Sequence, residues 1–356
     1  MDSFFIDNEE KVVEIFDRID HLVNLDIPGR GVIHLLFQFA RRRVNKPLIF
    51  LASCRLNQIL NKGDVVFIAT GWPDRPEITP DIAETDGPPG AASLARAINK
   101  AYHAVPFIFI EDNLVPGMST VVNAAGLKVL PPLQAIETPA NHAPINSASV
   151  LSFPIEKDLS IKKSADFIKK FKPKAVITIE KGGMNEKEVI HTSRGADSSM
   201  YMAKIDYLVQ EAIRNNITTI GIGDGGNEIG MGCIQEEIKK NLPFGDRCNC
   251  PCQAGIAPST KTDFLITASI SNWGAYGLAA GLSLLKNDID IFHNSEIEKR
   301  VLQRAADAGF IDGINGYTEP GADGLPSRAH ESFVEVLREL IIKGMKQLQI
   351  YQKKNS

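Results

Sequence analysis

I-T-T-I-G-I-G-D-G-G-N-E-I-G-M-G, running from Ile217 to Gly232, opens as a β-branched apolar run and closes as a polar glycine loop. The first half has the pattern of a strand buried on both faces. Five glycines then fall between Gly221 and Gly230, with Gly232 just beyond and Asp224, Asn227 and Glu228 set among them. Backbone this rich in glycine can take positive φ and approach a ligand closely, so its N–H groups can converge on an anion. The side chains offer oxygen ligands for a hard cation, or acid–base groups. A helix over Cys233 to Asn241 would complete a strand–loop–helix unit, the usual ligand-carrying edge of an α/β sheet. A purely structural glycine turn is the competing reading, but it needs fewer polar groups than these.

Four more apolar runs read as strands: Asp64 to Thr70, Val105 to Ile110, Ala175 to Glu180 and Asp263 to Ala268. Helical spacing of apolar residues separates them, over Gly90 to Lys100, Thr120 to Ala125, Ile161 to Phe171 and Met200 to Asn215. It returns over Glu296 to Ala308 and Ala329 to Ile342. Pro131 to Asn146, rich in Pro, Ala and Asn, is expected to be irregular. Ahead of the first strand, three helices are expected over Glu9 to Asn24, Val32 to Arg43 and Pro47 to Leu60, with D-I-P-G-R-G breaking the first from the second. This alternation predicts an α/β fold: one doubly wound, mainly parallel sheet of at least five strands with a helical N-terminal segment. Residues 1–62 would form that segment, packed on an α/β domain of residues 63–356.

Ligands of such sheets bind beyond the carboxyl ends of the strands. The loops there carry the candidate site. Thr70 and Gly71 end the first strand, and E-T-D-G-P-P-G-A brings Asp86 to the start of the next helix, where N-capping is its competing role. Glu180 ends the third strand, with His191, Arg194 and Asp197 in the segment after it. Ser271, Asn272 and Trp273 follow the fifth strand; Trp273 reads either as part of a ligand edge or as core filler. A long glycine loop with Asp312, Glu319 and Asp323 precedes the last helix, and loops of that length are usually functional or mobile.

The 44% hydrophobic and 23% charged fractions are ordinary for a soluble protein with a sizeable core, and the net charge of −4 suggests no nucleic-acid or membrane footprint. The N-terminus M-D-S-F-F-I-D-N-E-E-K lacks the regions of a secretory signal, so a cytoplasmic location is expected. Cys248, Cys250 and Cys252 alternate rather than follow C-x₂₋₄-C zinc spacing, and no histidine is near in sequence. They read as a variable surface loop rather than a metal or redox site. G-I-G-D-G-G is neither a P-loop nor a dinucleotide fingerprint. No nicotinamide, flavin or pyridoxal phosphate is expected, whereas a divalent cation, Mg²⁺ or Mn²⁺, fits the acidic groups. The partner would be a small-molecule substrate, and a homo-oligomer stays open.

Taken together, T-G-W-P (Thr70 to Pro73), E-T-D-G-P-P-G-A (Glu84 to Ala91), I-E-K-G-G (Ile179 to Gly183), G-I-G-D-G-G-N-E-I-G-M-G (Gly221 to Gly232), S-N-W-G-A-Y (Ser271 to Tyr276) and D-G-L-P (Asp323 to Pro326) resemble the C-terminal domain family of the D-glutamate cyclases. The central glycine motif is the specific one. The resemblance implies a lyase that dehydrates D-glutamate to 5-oxo-D-proline. For that reaction Asp224, Glu228 and Asp86 are the catalytic candidates and also the candidate metal ligands. Thr70, Gly71, Gly223, Gly225, Gly226, Asn227, Glu180, Arg194, Ser271 and Asn272 are the substrate-binding candidates. Within that set, the N–H groups of Gly223 to Gly226 would face an oxyanion and Arg194 would clamp a carboxylate. Two alternatives remain: metal-dependent binding or hydrolysis of a small phosphorylated ligand, and a non-catalytic amino-acid sensor.

Overall fold

The computed structural model describes residues 9–141 and 145–355. The first eight residues of the acidic N-terminus, and residues 142–144 of the stretch expected to be irregular, lie outside the described residues. Three helices come first: α1 (Glu9–Val23), α2 (Ile33–Arg42) and α3 (Leu48–Ile59). The first half of the sheet follows as β1 (Val65–Thr70), α4 (Pro88–Tyr102), β2 (Val105–Ile110), α5 (Val115–Ala124), β3 (Lys128–Val129), α6 (Pro132–Glu137), β4 (Ser147–Ser152) and α7 (Lys157–Phe171). Its second half is β5 (Ala175–Ile179), α8 (Ile205–Arg214), β6 (Thr218–Gly223), α9 (Gln235–Asn241), β7 (Phe264–Thr267) and α10 (Ser271–Lys286). The chain ends with α11 (Ser295–Asp307), a small hairpin of β8 (Gly321–Ala322) and β9 (Leu325–Pro326), and α12 (Ser327–Asn355).

Seven parallel strands form one sheet in the order β3-β4-β2-β1-β5-β6-β7. Two of them, β3 and β4, are absent from the sequence reading. The first has two residues, and the second is S-A-S-V-L-S, whose serines hide the apolar signal. The stretch expected to be irregular contains α6, which starts behind Pro131 with Pro132 in its first turn.

Both sheet faces are covered, as the alternation along β1 shows. Val66 and Ile68 enter the larger core, which holds α1, α3, α4, α10 and α12, while Val65, Phe67 and Ala69 enter the smaller one under α7 and α8. The smaller core is aromatic, with Phe67, Phe107, Phe109 and Phe171 in edge-to-face and stacked contacts. In the larger one α10 lies so close that a Cβ on Gly277 would come 2.6 Å from Ile49 of α3. The N-terminal helices therefore share the core of the sheet rather than form a separate one.

From central β1 the chain moves to β2 on one side, then crosses back to β5 on the other. The loops leaving β1 and β5 consequently diverge, and a crevice opens between them at the carboxyl edge. Among the described residues no helix is long and apolar enough to cross a membrane.

Candidate active site

Over that crevice lies a cavity of about 440 Å³. Its walls include Trp72 and Glu84 from the loop after β1, Glu180, Arg194 and Asp197 after β5, Asp224, Gly225, Asn227 and Glu228 after β6, and Asp323. Arg30, from the D-I-P-G-R-G loop, completes it.

The glycine loop adopts a conformation that the sequence did not reveal. Glu228 turns back into it, and its Oε1 accepts the N–H groups of Asp224 at 3.0 Å and Gly225 at 2.5 Å, while Oε2 accepts that of Gly226 at 2.9 Å. The expected oxyanion cradle is therefore filled by the protein's own carboxylate. Gly223 is required beneath it, since a Cβ there would meet Glu228 Cδ at 2.8 Å. Burial, and next the Asp224 charge, push Glu228 up to about 7 against the pull of those N–H groups.

Asp86 is capped into place from the other side. Its oxygens accept the N–H groups of Ser271 and Asn272, both at 2.8 Å, so it caps α10, while its Oδ1 also accepts the Gly87 N–H at 3.0 Å in the turn into the helix that follows it in sequence. Asn272 holds the same turn, accepting the N–H groups of Gly87 and Gly90 and donating to the Thr85 carbonyl. Ser271 Oγ donates to Glu180 Oε2 at 2.6 Å. Glu180 itself has a left-handed φ of 46°, and its side chain lines the cavity. Gly71 offers its carbonyl to Lys181 Nζ at 2.7 Å, and Lys181 also pairs with buried Glu111. Asn227 donates to the His191 carbonyl at 2.8 Å, and Thr70 Oγ1 is buried with no hydrogen-bond partner.

Of the expected substrate-binding groups, Glu180, Arg194, Gly225 and Asn227 line the cavity. Thr70, Gly71, Gly223, Gly226, Ser271 and Asn272 hold the loops that form it. Trp273 belongs to the core, stacked on Phe333 with its indole N–H donated to His330.

Two residues at the centre were not among the candidates. Arg30 Nη1 lies 2.8 Å from Asp224 Oδ2 and 2.9 Å from Asp323 Oδ2. The second contact is a hydrogen bond; the first is out of line for one, and Asp224 Oδ2 is left without a hydrogen-bond partner. The signal for Arg30 was the loop itself: Asp26 accepts the N–H groups of Arg30 and Gly31, and Gly29 and Gly31 both have positive φ. Such a tightly built turn is more than a helix break requires. Asp323, in the D-G-L-P stretch, also has a left-handed φ, of 52°.

Asp86, Asp224 and Asp323 bring carboxylate oxygens within 4.8 Å of one another, and so do Glu180, Asp224 and Glu228. The crowding has an electrostatic consequence. Burial, reinforced by neighbouring carboxylates, raises Glu84, Asp86 and Glu180 well above the usual carboxyl range. Asp323 is pushed up to about 8 by burial and by Asp224, with Arg30 opposing. The site thus combines carboxyls with raised proton affinity and a half-buried guanidinium.

The Cys248 to Cys252 segment is not the surface loop expected. Cys248 and Cys250 are buried and Cys252 half-buried, and His191 lies among their sulfurs although far away in sequence.

The profile of the D-glutamate cyclase-like, C-terminal family matches residues 19–338. The human protein "D-glutamate cyclase, mitochondrial" is 25% identical over 302 residues, which cover 85% of this chain and 43% of that relative. The stretch matched by the profile includes the whole parallel sheet and every carboxylate of the cavity, and the chain belongs to the D-glutamate cyclase-like, C-terminal family.

Proposed function

We propose that the cavity converts D-glutamate to 5-oxo-D-proline, as a carbon–oxygen lyase of the cyclase type. The single observation carrying this reading is the cluster of Asp86, Asp224 and Asp323 around Arg30. Cyclisation joins the α-nitrogen to the side-chain carboxyl carbon and expels one oxygen as water. The ammonium gives up two protons and the departing oxygen takes up two, so the site must both accept and deliver protons. Asp224 is assigned as base. Asp323, protonated up to about pH 8, is assigned as the acid that delivers a proton to the leaving oxygen. Arg194, at the exposed wall, would clamp the substrate α-carboxylate.

Carboxylates outnumber guanidinium groups along the walls, which is unfavourable for a substrate with two carboxylates of its own. A divalent cation, Mg²⁺ or Mn²⁺, is therefore part of the proposal. Asp86 and Asp224 would hold it, leaving Asp323 to keep its proton; Asp224 Oδ2, which accepts no hydrogen bond and has only its ion pair with Arg30, fits that role. When bound, it supplies Lewis-acid polarisation of a carboxylate oxygen. Filling of the glycine cradle by Glu228 weighs against the phosphorylated-ligand alternative.

The test is mass-spectrometric assay of the purified chain with D- and L-glutamate, with and without Mg²⁺ or Mn²⁺. Formation of 5-oxo-D-proline supports the proposal. Binding of D-glutamate without turnover would replace it with a sensor.

A further inference from the structure

We infer that His191, Cys248, Cys250 and Cys252 form a closed, four-ligand zinc site that fastens one wall of the cavity. The four ligand atoms already lie within 4.8 Å of one another. His191 Nε2 is 3.2 Å from Cys250 Sγ and 3.5 Å from Cys252 Sγ, and Cys248 Sγ is 3.5 Å from Cys250 Sγ and 3.3 Å from Cys252 Sγ. With Zn–S near 2.3 Å and Zn–N near 2.0–2.1 Å, a regular tetrahedron has edges of about 3.8 Å between sulfurs and about 3.6 Å between sulfur and nitrogen. Outward movements of a few tenths of an ångström would reach those lengths. None of the cysteines is in a disulfide, and the sulfurs stand well outside bonding distance.

The alternating spacing, unusual for zinc in an extended chain, is resolved by a tight turn. Gln253 has a left-handed φ of 53°, and its side-chain amide donates to the carbonyls of Cys248 and Cys250. That turn brings all three sulfurs to one side. Two donors face the sulfurs: the Cys252 N–H reaches Cys250 Sγ at 3.4 Å and Asn185 Nδ2 reaches Cys252 Sγ at 3.5 Å. Three thiolates and Zn²⁺ leave a net negative charge, and N–H donors of this kind stabilise it. Three thiolates and an imidazole favour Zn²⁺ over the hard cations suited to carboxylates.

Such a site joins two segments that no strand or helix connects. His191 begins the stretch that carries Arg194 into the cavity, and its carbonyl accepts from Asn227 of the glycine loop. Alongside, Asn249 donates through its side chain to the Arg194 carbonyl and through its N–H to that of Gly195. The metal would hold Arg194 in position without touching substrate. The metal site itself stands on its ligand geometry and does not depend on the reaction assigned to the cavity.

Metal analysis of the full chain, purified with no polyhistidine tag, tests this directly. We expect about one zinc ion per chain, retained on dialysis and released when the thiols are titrated with an organomercurial. Cys250→Ser should lose most of that zinc, whereas Cys54→Ser, far from the cluster, should keep it. Should Cys250→Ser fail to fold, the wild-type chain exchanged with Co²⁺ should display the absorption bands of tetrahedral thiolate-bound cobalt. Stripping the metal should also speed tryptic cleavage after the exposed Arg194. A chain that is folded, metal-free and freely reactive at all three thiols would overturn the inference, as would a disulfide among them.

Discussion

Asp86 and Asn272 cap each other's helices. Asp86 Oδ1 accepts the Asn272 N–H at 2.8 Å, and Asn272 Oδ1 accepts the N–H groups of Gly87 at 3.0 Å and Gly90 at 2.6 Å. The N-termini of α4 and α10 therefore meet, and each supplies an acceptor for the other's unpaired donors. The loop that places Asp86 beside Asp224 is built on this exchange.

Asn272→Ala should consequently destabilise the protein by about 2 kcal/mol, because the buried Gly90 N–H and the Thr85 carbonyl lose their partners at once, while the Gly87 N–H keeps Asp86 Oδ1. Urea denaturation would show a lower midpoint at an unchanged slope. A midpoint equal to that of the wild type would mean that the exchange adds nothing to stability.

Asp224→Asn should lower D-glutamate turnover by about 10²-fold or more, the loss expected for a removed general base. Thermal melting should remain cooperative, since the amide keeps the shape of the carboxylate and Arg30 keeps its hydrogen bond to Asp323. Turnover near wild type would end the assignment.

Turnover should decline as pH rises through about 8, where Asp323 gives up its proton. Arg30 pulls the Asp323 value down, so Arg30→Gln should move that alkaline limb to higher pH. A limb that stays fixed in the variant would belong to some other group.

Stability has its own pH dependence, most simply traced at Asp20, which lies outside the cavity. It is buried and accepts the N–H groups of Leu48 and Ile49 at the start of α3. Burial raises it from an ordinary 3.8 to about 7 in the folded chain. The folded state therefore holds this proton more tightly than the unfolded one. Its contribution is full below about pH 4 and is lost as pH rises through about 7. Asp20→Asn should flatten the stability profile between those limits; an unchanged slope there would refute the assignment.

Lys181 and Glu111 are both buried, and Lys181 also fixes the Gly71 carbonyl. Lys181→Met strands the carboxylate, and a loss of about 3–5 kcal/mol is expected in denaturation. The double variant with Glu111→Gln should recover part of it; equal losses in the single and double variants would show that the two charges are not coupled.

Much of the architecture was legible along the chain. Burial on both faces of a parallel sheet writes continuous β-branched runs, so Val65–Thr70, Val105–Ile110 and Thr218–Gly223 stood out, and the helices between them followed from apolar spacing. Because those strands are parallel, their following loops had to share one edge, which is why Asp86, Glu180, Asp224 and Glu228 could be nominated together. By contrast, β4 escaped notice because its serines break the apolar run, although it is sandwiched between β2 and β3.

What tertiary structure alone decided is who partners whom. Arg30 meets Asp323 across 293 residues, and His191 meets Cys250 across 59. Asp86 caps α10 as well as bonding the turn into its own helix, and Glu228 fills the loop that it ends. Local sequence carries propensity and burial periodicity, which depend on near neighbours. A pairing between distant loops depends on where the whole sheet returns the chain, and no short stretch contains that information.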